Sequence, residues 1–324
     1  MTNTPRTFII AEAGVNHNGS IELARNLVDA AVDAKADAVK FQSFIASSIV
    51  TTSAKKAEYQ IAQTGSQESQ LEMLQRLELS HAQQRELFEY CKTSGIKFLS
   101  TPFDSQSLQF LISDLELSTI KIGSGELTNA PFLLEVARCT DKLILSTGMS
   151  TIDEIELALG VIAFGMTIDK TSKPSTTACK NSLSSDAGRH ALNQRVTLLH
   201  CTTDYPTSPI DINLRAMVTL REKFECKVGL SDHSVGTHIA IGAVAMGATV
   251  VEKHLTTSRD LVGPDHMAGW SRSQGIPRTR RVQETCRKYP RHRNRIRQHR
   301  KKPNYKRNKK STGGSSKYCR QQAN

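Results

Sequence analysis

No run of apolar residues in the 324-residue chain approaches the ~20 needed to cross a bilayer. Its mean hydropathy is −0.37, so a transmembrane protein is excluded. A leader with an apolar core is also missing: Met1–Arg6 runs straight into a strand-like segment, which predicts no secretory export. The 7 cysteines (Cys91, Cys139, Cys179, Cys201, Cys226, Cys286 and Cys319) contain no C-x-x-C and are odd in number. That pattern predicts free thiols in a reducing cytoplasm. No G-x-G-x-x-G follows the first strand candidate, which argues against a dinucleotide-binding, doubly wound sheet. Acidic residues all but vanish at the C-terminal end. Residues 271–324 hold 19 Lys and Arg against one acid, Glu284, a net charge of +18. The overall +12 therefore hides a body, residues 1–270, with 24 basic against 30 acidic side chains.

What is present in that body is an alternation of short β-branched runs and longer segments of helical period. The strand candidates are Phe8–Ala13, Ala38–Phe44, Lys97–Thr101, Thr119–Ile122, Leu143–Thr147, Val196–His200, Lys227–Ser231 and Thr249–His254. Helix candidates include Ser20–Lys35, His81–Ser94, Thr151–Phe164, Asp211–Phe224 and Thr237–Met246, with Ser20 and Ser80 as N-caps. Eight strands joined by crossovers long enough for helices predict a parallel sheet. In about 250 residues they predict a (β/α)8 TIM barrel of the α/β class. Two polar connections, 45–80 and 167–195, read as a lid or surface insertion.

In such a barrel the C-terminal strand ends face one mouth, and here all eight carry polar chemistry. Glu12, Lys40, Gln42, Thr101, Lys121, Ser124, Glu126, Ser146, Thr147, His200, Ser231, His233, Glu252 and His254 fall at these ends, with Asp265 soon after. Lys40 and Lys121 sit inside apolar strands, where a lysine is expensive unless it meets an anion. A pairing with a structural carboxylate such as Glu12 or Glu126 is the plainer alternative. Ser124, Ser146 and Thr147 lie beside glycines whose N–H groups can converge on phosphate oxygens. His233 and His254 end adjacent strands and suit a divalent metal, Mn2+ or Mg2+, that keeps open positions for substrate. Glu252 shares the inward phase of His254 and can orient a ligand or a bound water. His81, His190 and His238 are read as cap, insertion and surface residues.

The ordered motifs F-I-I-A-E-A-G-V-N-H-N-G (8–19), V-K-F-Q (39–42), S-T-P-F (100–103), K-I-G-S-G-E (121–126), L-S-T-G-M (145–149), H-C-T-T-D-Y-P (200–206), G-L-S-D-H (229–233), E-K-H (252–254) and G-P-D-H (263–266) make the chain resemble one family. That family is the sialic acid (N-acetylneuraminate) synthases, with their legionaminate and pseudaminate relatives. The resemblance runs over residues 6–268. It implies a metal-dependent condensation of phosphoenolpyruvate with an open-chain N-acetylated hexose, typically N-acetylmannosamine, releasing phosphate. It further implies His233 and His254 as metal ligands. Lys40, Thr101, Lys121, Ser124, Ser146 and Ser231 become phosphoenolpyruvate contacts, Glu12 and Glu126 catalytic carboxylates, and Tyr205 and Asp265 sugar contacts.

After Ala268 the resemblance stops. The family continues with an eighth barrel helix and an antifreeze-like domain whose arginine completes the site of the partner in a domain-exchanged homodimer. Residues 269–324 instead have the composition of out-of-frame translation, with no Leu, Phe, Met or Trp after Trp270. They are expected to be a disordered basic tail, leaving the sugar half of the site incomplete. Two rivals are weighed. The runs Arg291–Arg295 and Arg300–Lys302 suit non-specific nucleic-acid binding, but aromatics for base stacking are scarce. Lys40 or Lys121 could also serve a Schiff-base aldolase if desolvated, and other 3-deoxy ketoacid synthases use the same phosphoenolpyruvate chemistry.

Overall fold

The computed structural model describes residues 6–56, 60–61 and 68–269. The expected absence of an eighth helix, and the basic tail, fall outside the described residues. Within them, eight parallel strands form one sheet: β1 (Phe8–Gly14), β2 (Ala38–Ser43), β3 (Lys97–Pro102), β4 (Thr119–Ile122), β5 (Lys142–Ser146), β6 (Val196–His200), β7 (Lys227–Asp232) and β8 (Val250–His254). Their order is β3-β2-β1-β8-β7-β6-β5-β4, so first and last strands pair and the sheet curls into a barrel. At the seam, Lys97 Nζ on β3 reaches Thr119 Oγ1 on β4 at 3.5 Å. The TIM-barrel expectation is met.

The helices that cover the sheet are α1 (Ile21–Asp33), α2 (Ala46–Ile49), α3 (Gln70–Leu77), α4 (His81–Thr93), α5 (Ser105–Gln109) and α6 (Ala130–Cys139). They continue with α7 (Ile152–Thr167), α8 (Thr176–Ser184), α9 (Asp186–Arg195), α10 (Ala216–Phe224) and α11 (His238–Ala245). Capping explains where several begin. Ser69, Ser80 and Thr151 each accept an N3 backbone N–H while the Glu or Gln at N3 reaches back, satisfying two orphan donors at once. The connection 167–195, read as a lid or surface insertion, is helical. The segment folds as α8 and α9, which bury Cys179, Ala191 and Leu192. A Cβ on Gly160 of α7 would lie 3.1 Å from the Cys179 carbonyl oxygen, so glycine permits this close packing.

The strand period of two sorts the interior into layers. Ile10, Ala38, Leu99, Ile144, Leu199 and Val250 form an apolar plug inside the barrel. Two residues further along their strands stand Glu12, Lys40, Thr101, Ser146, Cys201 and Glu252. The plug closes one end and the polar layer rests on it, facing the other. Outward-facing side chains of the same strands, such as Ile9, Ala11, Val39 and Val251, pack under the helices. Gly229 on β7 admits no larger residue: a Cβ there would lie 2.2 Å from the Val250 carbonyl oxygen.

Candidate active site

The polar layer floors a cavity of about 580 Å3 at the C-terminal end of the strands. Among the predicted site residues, Glu12, Lys40, Thr101, Lys121, Ser124, Glu126, Ser146, Tyr205, Ser231, His233, His254 and Asp265 all line it. Register places them: Glu12 pairs with Lys40 on one side and with His254 on the other, and Ser231 pairs with Glu252.

Charge alternates across the floor. Lys40 Nζ is ion-paired with Glu12, donates to Thr101 Oγ1 at 2.9 Å and lies 3.8 Å from Glu252. From the opposite side of the barrel, Lys121 Nζ lies 3.3 Å from Glu252. Each lysine therefore does meet a carboxylate, but the partner of Lys121 is Glu252, whose position across the interior no spacing along the chain could reveal. Burial pushes the Glu12 carboxyl up to about 7, only partly opposed by Lys40. Burial also raises Glu252, but Lys121, Lys40 and the Ser231 hydroxyl outweigh it and hold that carboxyl down to about 2. Burial would lower Lys40, yet Glu12 and Glu252 raise it above its ordinary value. An ammonium so held is a poor Schiff-base nucleophile, so the aldolase reading loses Lys40.

The two imidazoles have assigned faces. His233 Nδ1 lies 2.6 Å from the Thr202 carbonyl, which only accepts, so Nδ1 carries the proton. Ser231 gives its hydroxyl proton to Glu252 at 2.9 Å, so its 3.2 Å contact with His233 Nε2 leaves that nitrogen a lone pair. His254 Nδ1 is buried, 4.0 Å from Asp265 Oδ2, with no hydrogen-bond partner among the described residues. The rings are 5.7 Å apart, and Tyr205 stacks on His233 at 4.2 Å and meets His254 edge-on at 5.6 Å. Burial lowers His233 to about 4 and His254 well below its usual range, so both are neutral at pH 7. Two neutral imidazoles with uncommitted nitrogens fit a divalent cation. Among the described residues no three His, Cys, Asp or Glu side chains are arranged to enclose an ion.

A second polar patch surrounds Gly148. Its N–H donates to Ser124 Oγ at 3.0 Å, and Ser124 Oγ lies 3.1 Å from Cys201 Sγ. A Cβ on Gly148 would stand 2.6 Å from Thr203 Oγ1 and 2.8 Å from Cys201 Sγ, so only glycine lets these groups converge. Thr147 does not join them: its hydroxyl and N–H both turn to the Leu199 carbonyl. Glu126 sits half-buried in a 3-10 turn (Ser124–Glu126) at the cavity wall, accepting from Asn129 Nδ2 at 2.7 Å. Sequence reasoning gave no site role to Gln70 and Met73, yet both line the cavity, as do the strand-end residues Gln42, Cys201 and Thr203. Met73 and Gln70 arrive on α3, inside the 45–80 connection.

The sequence profile of the NeuB family matches residues 27–286. The chain belongs to the NeuB family. It is 47% identical over 263 residues to the N,N'-diacetyllegionaminic acid synthase of Campylobacter jejuni, covering 81% of this chain and 71% of that protein. Identity to the N,N'-diacetyllegionaminic acid synthase of Legionella pneumophila is 46% over 261 residues, covering 81% and 67%. Among solved structures, the N-acetylneuraminic acid synthetase of Leptospira borgpetersenii, in complex with citrate, matches with a TM-score of 0.69 at 30% identity, covering 89% of this chain and 88% of that one. Among the described residues no helix of this NeuB-family chain is long and apolar enough to cross a membrane.

The buried histidines make stability pH-dependent. His17, His233 and His266 are each lowered to about 4, chiefly by burial, and His254 is lowered as well. The unfolded chain takes up these protons near pH 6.5, before the folded one. Glu12, raised to about 7, and Asp265, raised by burial to about 6, work the other way, taking up protons in the folded state first. Four imidazoles outnumber two carboxyls, so the unfolded state binds more protons between pH 6.5 and 5. Metal-free protein is therefore expected to lose a few kcal/mol of unfolding free energy between pH 7 and 5. Urea titrations at the two pH values check this; equal midpoints contradict it.

Proposed function

We propose that this NeuB-family chain condenses phosphoenolpyruvate with an open-chain N-acetylated hexose, giving a sialic-acid-type nonulosonic acid and phosphate. The observation that carries the reading is the meeting, in one cavity, of two buried lysines and two neutral imidazoles. The first pair suits a small polyanion and the second a divalent cation, Mn2+ or Mg2+. Two relatives at 46–47% identity are named N,N'-diacetyllegionaminic acid synthases, which favours a hexose carrying two acetamido groups over N-acetylmannosamine.

Lys40 and Lys121, with Thr101, Ser124, Ser146 and Ser231, hold the carboxylate and phosphate of phosphoenolpyruvate by charge-assisted hydrogen bonds. Tyr205 and Asp265 orient the sugar above the imidazoles. A cation held by His233 and His254 would polarise the aldehyde oxygen. C3 of phosphoenolpyruvate then bonds to the aldehyde carbon, whose oxygen becomes a hydroxyl. Positive charge develops at C2, where the Glu126 carboxylate at the cavity wall can stabilise it. Water adds to C2, giving up a proton. The C2–O bond to phosphate breaks as the C2 hydroxyl passes its proton to the departing phosphate, leaving a keto group and inorganic phosphate. Glu12, with a carboxyl raised to about 7, is able to give or take a proton at neutral pH.

The test is release of inorganic phosphate by the full-length chain from phosphoenolpyruvate and Mn2+, across mono- and diacetamido hexoses and their 6-phosphates. Release that requires an N-acetylated hexose supports the reading. Release only with phosphorylated sugars lacking an acetamido group would assign the chain to another 3-deoxy ketoacid synthase.

A further inference from the structure

Lys253 sits inside the E-K-H motif, directly before His254, and none of the steps above uses it. On β8 it alternates with Glu252 and His254, so it points away from the cavity, into the outer shell where its neighbours of the same phase, Val251 and Leu255, are apolar. Its side chain is 0% exposed and lies 3.0 Å from Asp232 Oδ2, itself 1% exposed. A buried ion pair in such a place gives little or no net stability over apolar side chains of the same volume. Packing alone does not call for a lysine there.

The geometry shows what the pair holds. Lys253 Nζ donates to the Ser234 carbonyl and, at 3.4 Å, to that of Asp232, the residues on either side of His233. Asp232 Oδ1 accepts from Ser234 N at 2.9 Å and from Ser234 Oγ at 2.6 Å. The turn that presents His233 is thus tied to the strand residue immediately before His254. We propose that the Lys253–Asp232 pair is a positioning device that fixes His233 relative to His254 and thereby sets the affinity of the chain for a divalent cation. The inference rests on the reading of those two imidazoles as cation ligands.

The experiment measures Mn2+ binding by the electron paramagnetic resonance signal of free Mn2+, on the full-length chain and on four variants, His254→Ala among them. Lys253→Met leaves Asp232 buried without its cation and risks misfolding. The double variant Lys253→Met/Asp232→Asn removes both charges while Asn keeps the oxygen that accepts from Ser234. Lys253→Arg keeps a donor. The double variant is expected to melt near wild type yet bind Mn2+ about 10–100-fold more weakly, as loss of outer-shell support does elsewhere. Lys253→Arg is expected to recover much of that loss. At saturating Mn2+ the double variant's KM for phosphoenolpyruvate is expected to change little. Wild-type Mn2+ affinity in the folded double variant overturns the inference and makes the pair merely structural. If His254→Ala also binds Mn2+ as tightly as wild type, the cation reading itself falls, and the inference with it.

Discussion

Replacing His254 or His233 by alanine is expected to lower kcat/KM for sugar condensation by about three orders of magnitude or more. Polarising a carbonyl oxygen by a divalent cation supplies several kcal/mol, and each 1.36 kcal/mol is tenfold in rate. The effect should not add to that of metal removal. Wild type in chelated buffer and either variant in Mn2+ should fall to similar rates, and chelator should do nothing more to the variants. Among the described residues His254 Nδ1 has no hydrogen-bond partner, so His254→Ala strips none from them. The fold should persist, and circular dichroism with a melting curve separates lost chemistry from lost structure. A folded variant that turns over at the wild-type rate in chelated buffer contradicts the assignment.

Lys121→Met is expected to fail in two separable ways. Glu252 loses the partner 3.3 Å away and keeps only Ser231 and the more distant Lys40, so a buried carboxylate is left under-compensated. Breaking such a pair costs roughly 3 kcal/mol of stability. Losing a charge-assisted contact to a substrate anion should also raise the KM for phosphoenolpyruvate by about 100-fold. The double variant Lys121→Met/Glu252→Gln distinguishes the two. It should regain most of the lost stability, because no unpaired charge remains, while the KM stays high. Recovery of both together would mean that Lys121 serves only to neutralise Glu252.

All eight strands were legible from sequence to within about one residue, because parallel barrel strands are buried on both faces and read as short apolar runs between polar turns. Their ends were legible for the same reason: Lys40, Lys121 and His254 interrupt those runs. The helices were less so. The apolar side chains that α8 and α9 bury are Cys179, Ala191 and Leu192, set among many polar residues, too narrow a stripe to stand out. The inward phase of Glu252 follows from the period of two, but its union with Lys121 joins β8 to β4 across the barrel and depends on closure of the sheet. Likewise Thr147 was grouped with the anion-binding hydroxyls because it flanks a glycine, whereas the backbone turns it onto β6. Residue type and spacing locate a mouth. Which side chains satisfy one another inside it is decided by curvature.

The account requires that two buried lysines and two imidazoles serve one reaction in one cavity, the first pair on phosphoenolpyruvate and the second, through a cation, on the sugar. A crystal of the full-length chain grown with Mn2+ and phosphoenolpyruvate tests it through the manganese anomalous signal. The account predicts a single strong peak within ligating distance of both His233 and His254, with phosphate density against Lys40, Lys121 and Ser124 in the same cavity. A manganese peak away from either imidazole, or phosphoenolpyruvate bound elsewhere on the chain, would contradict it.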